Sequence, residues 1–205
     1  MNLLVNKHKF LSILPLMITS LVCFIFIVIV HNMTKDKISI NKERAALAII
    51  NEVISVKYDN DLFNDNIIVA VPDHISLTNN ITAYRARINN QPVAISLMPV
   101  VTKGYNGNIS LVIGITFDGT LTGVKILKHQ ETEGFGDKAH QDKSDWLLSF
   151  NNHTLEGFTK VKSALKKDDS EIDQLSGATI TSRCIIDIVY KVLEYYSENR
   201  DTLFL

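Results

Sequence analysis

The sequence predicts an α+β fold, in which a single N-terminal transmembrane helix precedes one domain with a mostly antiparallel sheet and flanking helices. Three features predict it. Residues 10–30 carry no charge, short runs rich in β-branched residues recur between residues 67 and 128, and an amphipathic run occupies 182–197. The chain has 205 residues, 46% of them apolar, which suits one domain of ordinary size with an appendage.

The N-terminal apolar run, FLSILPLMITSLVCFIFIVIV, is long enough to cross a membrane. At helical rise its 21 residues extend about 31 Å, close to the thickness of the hydrocarbon core of a bilayer. A cleaved signal peptide is the alternative, but its apolar region is shorter and small residues mark its cleavage site. Here the run ends in IVHNM (29–33), without such a pattern, which favours an uncleaved anchor.

The composition excludes several classes of function. A formal net charge of −1 gives no reason to expect nucleic-acid binding. Cys23 lies inside the apolar run and Cys184 lies far down the chain, so a disulfide between them is not expected. The six histidines are scattered, and the spacing of metal ligands is absent.

The domain is predicted to begin with a helix and to continue as strands. Apolar residues recur at helical spacing over about 41–56. Three runs rich in β-branched residues and bounded by Asp, Asn and Pro predict strands at 67–71, 81–88 and 92–101. A hairpin follows, with Asp118-Gly119 at the turn between strands at 109–116 and 121–128.

The next part of the chain is predicted to contain one short helix. It covers 139–149, with Trp146 and Leu147 facing inward. Residues 150–172 are predicted to be irregular or extended, and KKDDSE (166–171) is predicted to form a solvated turn.

The final helix is predicted over 182–197, after a cluster of small and hydroxyl-bearing residues, DQLSGATITSR. Its apolar stripe faces the core and consists of Ile185, Val189, Val192 and Tyr196. Gly177 and Ala178 leave little bulk, so another molecule can approach the backbone closely. The N–H groups and dipole at a helix N-terminus favour an anion, usually phosphate. The alternative is ordinary capping, with Thr181 or Ser182 as the N-cap residue.

This cluster also resembles the covalent flavin-attachment motif of the FMN-binding domains in ion-pumping respiratory complexes. The residues that fit the motif DxxSGATxTS are Asp173, Ser176, Gly177, Ala178, Thr179, Thr181 and Ser182. In that family the flavin phosphate is esterified to the threonine that closes SGAT. The resemblance therefore implies that Thr179 is the FMN phosphoryl threonine, and that Ser176, Gly177, Ala178 and Thr181 contact the cofactor.

Two further stretches carry the resemblance. HQETEGFG is similar to the family loop HxETPGLG, but Glu133 and Phe135 stand where proline and leucine are usual. GYNGNISLVIGIT is similar to GYGGxIxLLVGI, with Asn106 in place of a glycine. The resemblance leads us to expect that Glu131 and Thr132 take part in hydrogen bonds near the flavin or its phosphate. The alternative is a surface loop with turn glycines.

Together the motifs resemble the FMN-binding domain family of Rnf-type ion-translocating electron transport complexes, over most of the chain. The resemblance implies four segments: a cytoplasmic N-terminus (1–9), a transmembrane helix (10–30), a connecting helix (31–60) and an extracytoplasmic FMN-binding domain (61–205). It implies a single pass through the cell inner membrane with the soluble domain in the periplasm. The charges do not decide the orientation, because two lysines precede the span and two follow it closely.

The resemblance implies a flavoprotein that carries electrons through covalent FMN while its complex couples electron transfer to ion movement. The chain is then a redox component of a translocase that does not pump ions alone, and neither a catalytic residue nor a metal ligand is expected on it. A separate flavin transferase, using FAD and Mg²⁺, attaches the FMN. The other expected partners are membrane, iron–sulfur and flavin subunits. The alternatives are a component of the related sodium-pumping quinone reductase (NqrC-like) and a membrane-tethered structural or sensory module without a redox role.

Overall fold

The structure, a computed structural model, describes residues 2–164 and 172–205. The chain divides into two compact units, Met1–Ala45 and Ala46–Leu205. The predicted solvated turn at 166–171 lies outside the described residues. The division of the chain into segments at 9, 30 and 60 stays a prediction.

A long helix, α1, covers Asn2–Val53. From Ile13 onward it is long and apolar enough to cross a membrane, and it is the one candidate span within the part of the chain that the structure describes. Pro15 lies inside the helix, as is tolerated in membrane helices because neighbouring groups can satisfy the freed carbonyl. The predicted helix at 41–56 is therefore not separate: it is the last part of α1, and it ends at Val53.

The second unit contains a five-stranded antiparallel sheet in which each strand pairs with its neighbour along the chain. The strands are β1 (Asn66–Ala70), β2 (Asn80–Ile88), β3 (Gln91–Lys103), β4 (Asn108–Thr116) and β5 (Leu121–Lys128). All five predicted strands are confirmed to within two residues at either end. The predicted α+β class with an antiparallel sheet and flanking helices is also confirmed.

Each face of the sheet packs against a different helix. On one face, residues such as Ile95 and Ile113 share a hydrophobic cluster with the C-terminal helix α3, Thr179–Leu203. The predicted stripe of this helix is buried at all four positions, Ile185, Val189, Val192 and Tyr196. On the other face, a smaller cluster includes Ile50 and Val53 from the last turn of α1. The alternation of side chains along the strands separates the two clusters.

Two glycines allow the end of α1 to lie directly on the sheet. Gly114 on β4 is paired with Gly123 on β5. A Cβ atom added at Gly114 would collide with the carbonyl of Val53, and one at Gly123 would lie 3.0 Å from the Val53 Cα. Beside this pair, Thr122 donates its hydroxyl to the Val53 carbonyl at 2.5 Å. The absence of side chains at these two positions therefore sets how closely helix and sheet approach.

The prediction of a helix over 139–149 is wrong. Two short 3₁₀ turns, Gly136–Ala139 and Trp146–Phe150, take its place. The hydroxyl of Ser144 donates to the Lys138 carbonyl at 2.6 Å, and this serine also accepts the Trp146 N–H. Because the serine side chain replaces backbone partners in this way, it competes with a continuous helix.

The prediction that 150–172 is irregular or extended is wrong over 155–164, and 165–171 lie outside the described residues. A helix, α2, covers Leu155–Ala164. Its inward residues Phe158 and Val161, three positions apart, are buried, while most of its other side chains are polar. Two apolar positions give too weak a periodic pattern for sequence analysis, but they suffice once the core is present.

Candidate functional site

A cavity of about 590 Å³ opens where the N-terminus of α3 meets two loops. Its lining consists of Tyr105, the loop residues Glu131, Thr132, Phe135 and Gly136, and the continuous run 177–181. Small-molecule sites usually have volumes of about 300–1,000 Å³, so the cavity can accept a cofactor-sized ligand. The three contributing segments are the three that carry the sequence motifs.

The structure brings six of the seven sequence-predicted site residues to this cavity. They are Glu131, Thr132, Gly177, Ala178, Thr179 and Thr181. The seventh, Ser176, is exposed just before the run and is not part of the lining.

The hydroxyl groups around the start of α3 differ in exposure. Ser182 is buried; it accepts the Leu175 N–H and donates to the Ala178 carbonyl, each at 3.0 Å. Thr181 is buried as well, and its hydroxyl donates to Glu131 at 2.5 Å. Thr179, in contrast, is exposed on the cavity wall. Of the two threonines in the motif, only Thr179 presents its side chain to a ligand.

The helix begins earlier than the sequence predicted. Its first residue is Thr179 instead of residue 182, and its N-cap residue is Ala178, which has no side chain that could cap. The alternative interpretation, with Thr181 or Ser182 as the N-cap residue, is therefore wrong, because both residues lie inside the first turn. N–H groups in a first turn have no acceptor within the helix, so those of α3 point toward the cavity end.

The loop before the helix requires a glycine. Gly177 has φ +78°, a left-handed conformation that glycine adopts without a steric penalty. A Cβ added there would also lie 3.2 Å from the ring of Phe135. The Ala178 N–H donates to the Leu175 carbonyl at 2.9 Å and closes the turn. This turn and the Ser182 bridge together bring Thr179 to the first position of the helix.

Glu131 lies at the base of the cavity and is only 9% exposed. One carboxylate oxygen accepts the backbone N–H of Asn106 at 3.1 Å, and the other accepts the Thr181 hydroxyl. Gly104 and Gly136 make room for it, since a Cβ on either residue would collide with the carboxylate. This side chain therefore joins the 104–107 loop to α3.

The rest of the cavity wall is largely apolar and exposed. Tyr105 is 69% exposed, Phe135 is 56% exposed and Ile180 is 55% exposed. Sequence analysis assigned no site role to any of the three. The position of Tyr105 and Phe135 inside glycine-rich motifs was the available signal, because glycines flank both residues where the backbone turns.

Cys184 lies one helical turn beyond the cavity wall. Burial raises the pKa of its thiol to about 12, and the negative charge of Glu131 contributes in the same direction. The thiol also donates to the Thr181 carbonyl at 3.0 Å. It is therefore protonated at neutral pH, which makes it a packing group without nucleophilic character.

Comparison with known proteins gives a family match, two relatives and one solved structure. Residues 104–194 match the family model described as the FMN-binding domain. The G subunit of the ion-translocating oxidoreductase complex of Vibrio atlanticus (strain LGP32) is 34% identical over 178 residues, or 86% of this chain and 85% of that protein. The protein of the same description from Shewanella amazonensis is 36% identical over 186 residues, or 90% and 86% of the two chains. Among solved structures, the crystal structure of Shewanella oneidensis NqrC aligns with 67% of this chain and 75% of its own, at 21% identity and a TM-score of 0.43.

Proposed function

This chain belongs to the family formed by the G subunits of ion-translocating oxidoreductase complexes, and on that premise we propose that it carries electrons through an FMN attached to Thr179 by a phosphoester. The exposure of the motif's two threonines is the observation that carries this assignment. Thr181 donates its hydroxyl to Glu131 inside the protein, whereas Thr179 is exposed on the cavity wall. Of these two side chains, only that of Thr179 is accessible for modification.

The residues of the cavity fit FMN. Its phosphate would lie at the start of α3, where the N–H groups of the first turn and the helix dipole favour an anion. Gly177 lets the ligand approach the backbone closely, and the exposed apolar faces of Tyr105, Phe135 and Ile180 suit an aromatic ring. When bound, the isoalloxazine ring supplies the redox chemistry, and the protein supplies position and electrostatics.

Attachment requires a separate flavin transferase that uses FAD and Mg²⁺. The Thr179 oxygen forms a bond to the phosphorus on the FMN side of FAD, the P–O bond to the AMP phosphate breaks, and AMP leaves. The hydroxyl proton passes to the transferase. This chain is the substrate of that step, and its contribution is an accessible hydroxyl on a preorganised turn.

The chain acts as one redox component of a membrane complex. Helix α1 anchors it in the cell inner membrane, the domain lies in the periplasm, and other membrane and iron–sulfur or flavin subunits exchange electrons with it. The uncharged run at 10–30 offers no ion path of its own. Coupling of electron transfer to ion movement is therefore a property of the whole complex.

Covalent attachment can be tested on the full chain produced together with a flavin transferase. The wild-type protein should give a fluorescent band on a denaturing gel under ultraviolet light and an intact mass increased by one FMN. Thr179→Val should lose both signals, and Thr181→Val, the same change at the buried hydroxyl, should keep the covalent FMN. A fluorescent Thr179→Val protein contradicts the site. An unmodified wild-type chain from its native host favours the structural or sensory alternative.

Copurification separates the two redox alternatives. The chain isolated from its native host should bring with it the other proteins of an Rnf-type complex. Recovery with components of a sodium-pumping quinone reductase contradicts this assignment, but it does not contradict the covalent attachment of FMN.

A further inference from the structure

Glu131 is a buried acidic residue, and no Lys, Arg or His within residues 2–164 and 172–205 forms an ion pair with it. Among the described residues that line the cavity, it is the single Asp, Glu, Lys or Arg. Burying a carboxylate costs free energy unless hydrogen bonds or opposite charges compensate it. The compensation from the residues that the structure describes consists of two hydrogen-bond donors, which leave the net negative charge in place.

The hydrogen bonds indicate that the group is a carboxylate held in one position. Both of its oxygens accept, from the Asn106 N–H and from the Thr181 hydroxyl. The side chain has room because Gly104 and Gly136 carry no Cβ, which would collide with the carboxylate at either position. A glutamine of the same shape could hold the same segments together, because its oxygen can accept from Asn106 while its amide donates to a rotated Thr181 hydroxyl. The structural link alone therefore does not require a charge.

We propose that the fixed negative charge of Glu131 at the base of the cavity lowers the reduction potential of the electron carrier bound there. This inference rests on the proposed function, and it assigns Glu131 an electrostatic role toward the bound carrier. A reduced carrier holds additional negative charge, which a nearby carboxylate in a poorly hydrated site disfavours. Water screens exposed charges on the same loop far more strongly.

The test is a spectroelectrochemical titration of the full-length, flavin-loaded protein in detergent micelles at pH 7 and fixed ionic strength. Glu131→Gln should shift the midpoint potential in the positive direction. Glu133→Gln is the matched control, since it removes the same charge from an exposed position two residues away, and its shift should be smaller. Circular dichroism and the unfolding temperature check that each variant is folded.

A second variant keeps the test decisive if Glu131→Gln folds poorly. Thr181→Val keeps the carboxylate and removes a donor that partly neutralises it, so its potential should shift in the negative direction. A role confined to holding the loops together predicts shifts of the same sign in both variants. Three outcomes would overturn the inference. They are unchanged potentials, equal shifts in Glu131→Gln and Glu133→Gln, and a folded Glu131→Gln chain that takes up no flavin. A wild-type chain that carries no flavin instead contradicts the proposed function.

Discussion

The Thr181 hydroxyl donates a 2.5 Å hydrogen bond to the buried carboxylate of Glu131, 50 residues earlier in the chain. The bond joins the first turn of α3 to the loop after β5. The same carboxylate accepts the N–H of Asn106 in the loop before β4. Three segments that are separate in sequence are thus held around one buried group, and the cavity lies above it.

Loss of this bond should destabilise the domain. In Thr181→Val the carboxylate loses a donor while the side-chain shape is kept, and hydrogen bonds to charged groups contribute about 1.5–3 kcal/mol. We expect a fall of that size in the free energy of unfolding. Thr179→Val, at an exposed position, should change it by less than about 0.5 kcal/mol. Unfolding of the flavin-free chains in detergent, followed by circular dichroism, measures the free energy of unfolding of both variants. Equal effects of the two substitutions would argue against a structural role for the Thr181 bond.

The contact between α1 and the sheet should be sensitive to a single methyl group. In Gly114→Ala the new Cβ meets the Val53 carbonyl, and overpacking of this kind costs about 1–3 kcal/mol. Gly157→Ala is the matched control in α2, where the nearest neighbour of the added Cβ is the side chain of His153. Alanine favours a helix over glycine by about 1 kcal/mol, and the contact at 3.1 Å is with a side chain instead of the backbone, so this variant should lose less stability than Gly114→Ala. Urea unfolding gives the free energy of unfolding of both variants. A Gly114→Ala protein as stable as the wild type would show that α1 does not pack directly on the strand pair.

The turn between β4 and β5 should lose stability in acid. A hydrogen bond from the Thr116 hydroxyl is the main cause that holds the pKa of Asp118 below its ordinary value, and Thr120 also donates to the same carboxylate. Because the pKa is lower in the folded state, the carboxylate stabilises the fold above the pKa of the unfolded chain. That contribution disappears as the pH falls through the folded pKa.

Asp118→Asn should therefore be less stable than the wild type at pH 7, and the difference should shrink as the pH is lowered into the acid range. Asp73→Asn, which makes the same change at an exposed loop position, serves as the matched control. Thermal unfolding between pH 7 and pH 3 gives the comparison. A difference between wild type and Asp118→Asn that stays constant with pH contradicts the role of the carboxylate charge.

The strands were predictable and the short helices were not. Each strand pairs with its sequence neighbour, so β-branched runs and turn residues between them carry the necessary information locally. Among the residues of α2 whose burial the structure describes, two apolar positions are buried, Phe158 and Val161. The helix predicted at 139–149 does not form, because Ser144 bonds to nearby backbone groups. Helix α2 therefore depends on core partners from distant parts of the chain, whereas the missing helix depends on local side-chain hydrogen bonds that apolar periodicity does not report.

The candidate site was predictable in its location but not in the state of its side chains. Sequence reasoning singled out Thr179, Thr181 and Glu131 together. It did not foresee that Thr181 and Glu131 are buried and bonded to each other. It also gave no site role to Tyr105, which the loop before β4 brings to the cavity wall.

The sequence by itself determined the class of fold, the candidate membrane span and the segments from which the site is built, because these depend on composition, periodicity and short motifs. Only the tertiary structure decided which hydroxyls remain accessible and where the buried negative charge lies. Burial and hydrogen bonding in the site are set by segments far apart in the chain. For Glu131 these are the loop at Asn106 and the first turn of α3, and only folding brings them within hydrogen-bonding distance.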